Sequence, residues 1–295
     1  MSALPKRWGN TSNGPAWAES PRLVCLAFDW SVQSDNPTLV DYITSLYEAC
    51  LAPGPARHRF VLETSAPSRL TLARDGRVVL RHASPGLAVA RLAWEVNRRV
   101  VEETSSRLLL HAAAVEREGA VVLLPGPRGA GKSTLAAALV RGGLRYVTDE
   151  AVAVDPVTTA IEPYAKPIAL DRNSWPLLPD LRPEVDPAVG DTDQWLVAPR
   201  SIRPDAVAPT GGVPALVILP AHRPGRPTAA REIPRAGAAI ALAEHSFNFR
   251  TFGPGALDAV ANIVRGSRCY RLDVGDLDIA CRVIFDLLES VSVRP

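Results

Sequence analysis

The chain has 295 residues and a mass of 31.6 kDa, enough for one large domain or two modest ones. Hydrophobic residues make up 47% and charged residues 22%, which excludes a globally disordered, collagen-like or coiled-coil chain. The net charge of +2, from 33 basic and 31 acidic residues, argues against a nucleic-acid coat.

Residues 1–20 read as a flexible lead-in and lack the apolar middle of a secretory signal. Residues 22–28 form a short apolar strand. Pro37 opens a helix with Leu39, Tyr42, Ile43, Leu46 and Tyr47 on one face. Residues 59–64, 70–73 and 78–81 read as strands, the last two joined by an Asp75-Gly76 hairpin turn. A helix over 85–103 follows, with Leu87, Leu92, Val96, Val100 and Val101 on its apolar side. Residues 21–105 are thus predicted to be a small α+β domain, in which no chemistry is visible.

The second domain spans 106–295. Residues 108–115 and 120–124 read as paired strands around the turn 116–119. A glycine-rich turn at 125–131, a helix over 132–141, a Gly142-Gly143 stop and a strand over 144–148 come next. Residues 156–234 hold fifteen of the 27 prolines, so this stretch is predicted to be loop-rich around one buried strand at 213–219. Helices over 236–247 and 256–264, a strand over 269–274 and a last helix complete the chain. Leu277, Ala280, Val283, Ile284, Leu287 and Leu288 form the apolar stripe of that last helix.

No uninterrupted apolar run reaches the roughly 18–20 residues that span a bilayer. Cys25, Cys50, Cys269 and Cys281 show no CxxC spacing and read as reduced buried thiols. A cytoplasmic protein without membrane or nucleic-acid partners is expected. His58, His82, His222 and His245 have no metal-ligand spacing, and no Gly-x-Ser-x-Gly elbow is present.

Gly126-Pro127-Arg128-Gly129-Ala130-Gly131-Lys132-Ser133, followed by Thr134, fits the phosphate-loop pattern G-x-x-x-x-G-K-[ST]. A strand enters it and a helix leaves it, as that pattern requires. Glycines let successive backbone N–H groups point at phosphate oxygens, and the helix start adds partial positive charge. Lys132 supplies a full charge to the β- and γ-phosphates, and Ser133 is a ligand for Mg²⁺. Only Lys6, Lys132 and Lys166 are lysines among the basic residues, so a lysine at this position is unusually informative. A chance glycine turn before a helix is the alternative.

Asp149-Glu150 lies seventeen residues past Lys132. The intervening helix rises about 15 Å away from the phosphates, and the strand after it returns by about 17–20 Å. Both carboxylates therefore land near the loop. Asp149 is assigned as the base that takes a proton from an acceptor hydroxyl, and Glu150 as the metal-side residue with Ser133. Two solvated acids at a strand end are the bland alternative. No separate acidic strand and no guanine-reading element points to a motor ATPase or a GTPase. His111, on the strand before the loop strand, is carried toward the end from which the loop leaves. It is a phosphate-site residue or a neutral core histidine.

His111, the glycine loop and Val147-Thr148-Asp149-Glu150 together resemble the catalytic half of bacterial HPr serine kinase/phosphorylase, with its succession H … GxxxxGKS … VADD. Asn248-Phe249-Arg250 resembles that family's MNFR segment, and Pro234-Arg235 falls near its RPGRN segment, which carries a catalytic arginine. Arg223 or Arg226, in the run HRPGR, could replace Arg235. The resemblance covers about residues 107–290 and departs from the family in Glu150, where the second Asp stands. The family's docking segment and N-terminal domain are not recognisable. In this the chain looks more like the divergent kinases of peptide natural-product pathways, such as lasso-peptide tailoring.

The resemblance implies an α/β fold in which an HPr kinase/PEP carboxykinase-like P-loop domain follows the small α+β domain. It also implies ATP and Mg²⁺ as cofactors, Asp149 as base, His111 in the phosphate site, and a homo-oligomer. The expected activity is phosphoryl transfer to a hydroxyl, foremost a serine of a peptide or protein. Residues 156–234, with Trp175, Trp195 and Lys166, are the candidate acceptor surface. A small-molecule kinase and a nucleotide-dependent binding module remain the alternatives.

Overall fold

The computed structural model describes residues 17–184 and 194–292, so most of the predicted lead-in lies outside the described residues. The first sheet has seven strands, and its central strand, Phe28–Ser34, pairs antiparallel with Arg22–Cys25 and parallel with His58–Ala66. The sequence predicts one strand over 22–28, but the chain reverses at Leu26, whose φ is +52°. No glycine, asparagine or proline marks that turn, which is why it is invisible in the pattern. The predicted lead-in is also too long. Ala18–Glu19 pairs with Phe28–Ser34, and the buried Ser20 hydroxyl accepts from the Val32 N–H at 3.0 Å.

The hairpin Arg69–Arg74 to Arg77–Ala83 turns at Asp75 and Gly76, both with positive φ, as the Asp-Gly pair predicts. Helices Pro37–Leu46 and Pro85–Glu103 cover this sheet. Ser84 caps the longer one by accepting from the Leu87 N–H, and Pro85 opens it. Trp30, Phe60, Leu92, Val96 and Val100 are buried between sheet and helices. Leu87, predicted on the apolar side, is 54% exposed. The buried stripe runs instead through Ala88, Val89, Leu92 and Ala93.

The second sheet has eight strands. Ala120–Pro125, Val213–His222 and Arg268–Val274 are parallel neighbours, and Leu108–Arg117 runs antiparallel to the first of them. Helices Lys132–Arg141 and Leu277–Ser292 bury one face, while Arg235–Glu244 and Gly255–Gly266 bury the other. The face alternation is regular: Val122 and Leu124 look to the first helix pair, Val121 and Leu123 to the second.

The helix predicted over 236–247 stops at Glu244 for a specific reason. The loop strand pairs with Leu108–Arg117 only as far as Pro125, opposite Ala112. Beyond that point residues 245–247 take over its place. The His111 N–H donates to the His245 carbonyl at 2.6 Å, and the Phe247 N–H donates to the Leu109 carbonyl at 2.9 Å. Asn248 closes the arrangement, accepting from the Leu109 N–H and donating to the Arg107 carbonyl.

The two sheets share packing. Ala151, Tyr164 and Leu196 of the second unit join the core of the first, and the Tyr164 hydroxyl donates to the Asn97 side chain. Among the described residues no helix is long and apolar enough to cross a membrane. All four cysteines are free thiols.

Candidate functional site

Strand Ala120–Pro125 delivers the chain into the glycine loop, and helix Lys132–Arg141 takes it out. Gly129 and Gly131 have φ of +81° and +86°, a backbone region that other residues avoid. Lys132 is 6% exposed. Its ammonium donates to the carbonyls of Gly126 at 2.8 Å and Pro127 at 3.0 Å, and lies 3.3 Å from His111 Nε2. Burial pulls its pKa below the ordinary lysine value, against the opposing pull of Glu150 and Asp149. Burial, then the Lys132 charge, lowers His111 to about 4. At neutral pH the imidazole is uncharged, so a ring nitrogen lone pair can accept from the ammonium.

The segment 145–154 runs antiparallel to Leu108–Arg117 in two pieces, Arg145–Thr148 and Ala151–Val154. The register slips by one residue between Tyr146 and Thr148, and regular pairing lapses at Asp149 and Glu150. In an unbroken strand two consecutive side chains point to opposite faces; here the irregularity lets both carboxylates line one cleft.

Their environments differ. The Asp149 side chain is 1% exposed and forms an ion pair with Lys166. It also accepts from the Tyr146 hydroxyl at 2.8 Å and the Ala169 N–H at 3.4 Å. Glu150 is 39% exposed at its side chain, and its Oε1 lies 3.9 Å from His111 Nε2. Burial raises the Glu150 pKa above the ordinary glutamate value; Lys166 works against that, and Asp149 with it.

A cleft of about 630 Å³ contains Lys132, Ser133, Thr134, Asp149, Glu150 and Lys166. One wall comes from the first unit, whose sequence shows no catalytic motif. Ala90, Ala93, Trp94, Asn97, Arg98 and Val101 present one face of helix Pro85–Glu103 to it. Their spacing of three and four residues is the signal that could have revealed this face. The Thr134 hydroxyl is paired with that of Ser174 at 2.7 Å.

Of the stretch predicted as acceptor surface, Lys166, Pro167, Asp171, Ser174 and Gln194 line the cleft, whereas Trp175 and Trp195 do not. Trp175 and Trp195 stack on each other, centroids 4.8 Å apart and planes 5° from parallel, and the Trp175 indole donates to the Leu170 carbonyl. They are packing residues. Lys166 is buried against Asp149, so it belongs to the carboxylate pair and not to an outer surface. Both described lysines therefore sit in this cleft, and their scarcity was the available signal.

Arg235 does not line either cavity beside the loop. It is exposed at the start of helix Arg235–Glu244, whose other end leads to His245 beside the glycine loop. Ten helical residues put about 15 Å between the two ends. Arg223 stands nearer, in a second cavity of about 480 Å³ on the other flank of the loop, with Arg128, Glu244, His245 and Arg271. Arg235→Ala is expected to leave nucleotide binding and turnover within about twofold of the unaltered chain, measured by label transfer from ATP.

Among the described residues no three His, Cys, Asp or Glu side chains gather as a metal cage. What the chain offers a divalent cation is the Ser133 hydroxyl at the helix start, a sparse donor set that suits Mg²⁺, which keeps waters and phosphate oxygens in its shell, better than a cation needing an all-protein cage.

No family model and no curated protein matches the chain. Among solved structures it is similar to the Hpr(Ser) kinase/phosphatase from Coxiella burnetii, at 15% identity and a TM-score of 0.33. The match covers 62% of this chain and 94% of that one. So distant a likeness carries no weight for activity and does not bear on the peptide-tailoring branch. The functional reading rests on the side chains of the cleft.

Proposed function

We propose that the chain is an ATP- and Mg²⁺-dependent kinase that transfers the γ-phosphoryl group to a hydroxyl, foremost a serine of a peptide or protein. The observation that carries this reading is the convergence of Lys132, His111 and Glu150 at the mouth of a glycine loop, where His111 Nε2 lies 3.3 Å from the ammonium and 3.9 Å from the Glu150 carboxylate. A cation to neutralise phosphate charge and a carboxylate to accept a proton stand side by side there. Phosphoryl transfer needs little more than such positioning and charge.

The loop amides and Lys132 hold the polyphosphate, and neutral His111 keeps the ammonium aimed. Ser133, with waters and the donor's own phosphate oxygens, would hold Mg²⁺, which supplies charge neutralisation when bound. The role of base, assigned to Asp149 from the sequence, passes to Glu150, and Asp149 becomes a buried structural anion. Asp149 is enclosed by Lys166, Tyr146 and the Ala169 amide, which occupy its oxygens. Glu150 is partly exposed, and its raised pKa makes it the better proton acceptor. The acceptor hydroxyl gives its proton to Glu150 as its oxygen bonds to the γ-phosphorus. The bond from that phosphorus to the bridging oxygen breaks, and ADP leaves with the electron pair.

The test is incubation with γ-labelled ATP, Mg²⁺ and serine-containing peptides, read by mass spectrometry. A phosphorylated peptide is expected, and Lys132→Ala is expected to reduce its formation by about 10²–10³-fold. Slow ATP hydrolysis with no phosphorylated product from any hydroxyl acceptor would make the protein a nucleotide-dependent binding module instead.

A further inference from the structure

Trp94 is 50% exposed, the most exposed tryptophan or phenylalanine among the described residues. It lies on the helix Pro85–Glu103 face that walls the cleft, not on outer surface alone. Its ring is held in place. The Arg91 guanidinium sits 4.2 Å from the ring centroid and that of Arg98 5.6 Å. Both arginines donate to Glu95, whose side chain is 3% exposed and which also accepts from Arg74. A buried carboxylate thus fixes two cations around one exposed indole, an arrangement costly to assemble for solvent contact alone.

The direction of a bound nucleotide follows from the loop. Lys132 and His111 mark the γ end, and the helix start at Ser133 and Thr134 marks the α end. Ser174 meets the Thr134 hydroxyl, and Asp171 pairs with Gln194; these residues line the same cleft as the helix face that carries Trp94. Phe247, the other exposed aromatic of the cleft, lies 5.3 Å from the His111 ring and so belongs to the γ end.

We propose that Trp94 seats the base of the nucleoside triphosphate donor, so that the first unit completes the nucleotide site of the second. This inference rests on the kinase reading only as far as nucleotide binding. The flat face of the base packs on the indole. Every base offers a π-face, so the seat gives affinity without strict choice among purines.

The experiment compares calorimetric binding of ATP and of inorganic tripolyphosphate, each with Mg²⁺, to the unaltered chain, Trp94→Ala and Trp94→Phe. Trp94→Ala is expected to weaken ATP about tenfold or more while tripolyphosphate stays within twofold, and Trp94→Phe to keep most of the ATP affinity. Unchanged ATP affinity in Trp94→Ala overturns the proposal; if peptide phosphorylation falls at the same time, the ring serves the acceptor. An equal loss for both ligands also overturns it, because the ring is then only structural. If the unaltered chain binds neither ligand, the nucleotide reading itself fails and this proposal falls with it.

Discussion

Glu150→Gln is expected to lower phosphoryl transfer by about 10²–10⁴-fold while Mg²⁺·ATP still binds. The amide keeps the shape of the side chain and loses the ability to accept a proton. Glu150 lies beside both His111 and the lysine-bearing loop, and its partial exposure leaves room for an incoming hydroxyl. The pH dependence has a definite sign. A protonated carboxyl cannot act as base, so the rate falls as pH drops through the Glu150 pKa. Burial places that pKa above the ordinary glutamate value, so the acid limb begins at a higher pH than an exposed glutamate would give. His111, at about 4, stays neutral through that range and adds no limb of its own near neutrality. Single-turnover label transfer measured across pH checks both points. If Glu150→Gln keeps full activity and Asp149→Asn, still folded, loses it, the assignment of the base returns to Asp149.

Much of the second unit was legible because its signals are local. The hairpin 108–124, the glycine loop and the helix from Lys132 are each written in consecutive residues, and all three stand where the pattern puts them. The doublet Asp149-Glu150 was legible in position, through the out-and-back lengths of helix and strand. It was not legible in role. Which carboxylate faces the cleft freely depends on Lys166 and Tyr146, and Lys166 arrives from a proline-rich stretch with no periodic pattern. The turn at Leu26 and the takeover of strand pairing by residues 245–247 have no compositional marker either. The cleft wall supplied by the first unit is a contact between two separately readable elements, and helix periodicity alone does not say what a second exposed face looks at.

Lys166→Met is expected to destabilise the protein by about 3–5 kcal/mol, because it leaves the Asp149 charge buried without its cation. The side chains of this pair are 3% and 1% exposed, so water cannot take over. The Tyr146 hydroxyl and the Ala169 N–H would remain as donors, but two neutral donors do not replace a full charge. A melting temperature lower by roughly 10 °C corresponds to such a loss in a chain of this size. The segment that carries Lys166 also ties the two units together, since Tyr164 donates to Asn97 and the Cys50 thiol contacts the Ala165 carbonyl at 3.7 Å. The loss should therefore loosen the cleft wall as well as the carboxylate. A double-mutant cycle separates the ion pair from the packing. Asp149→Asn with Lys166→Met removes both charges, and the pair is expected to cost less than the sum of the single changes by more than about 1 kcal/mol. Glu150→Gln, outside the ion pair, should stay within about 0.5 kcal/mol of the unaltered chain. Additive losses in denaturant titrations would mean that the two buried charges do not depend on each other. Asp149 would then be free to act on substrate, and the division of labour between the two carboxylates would have to be redrawn.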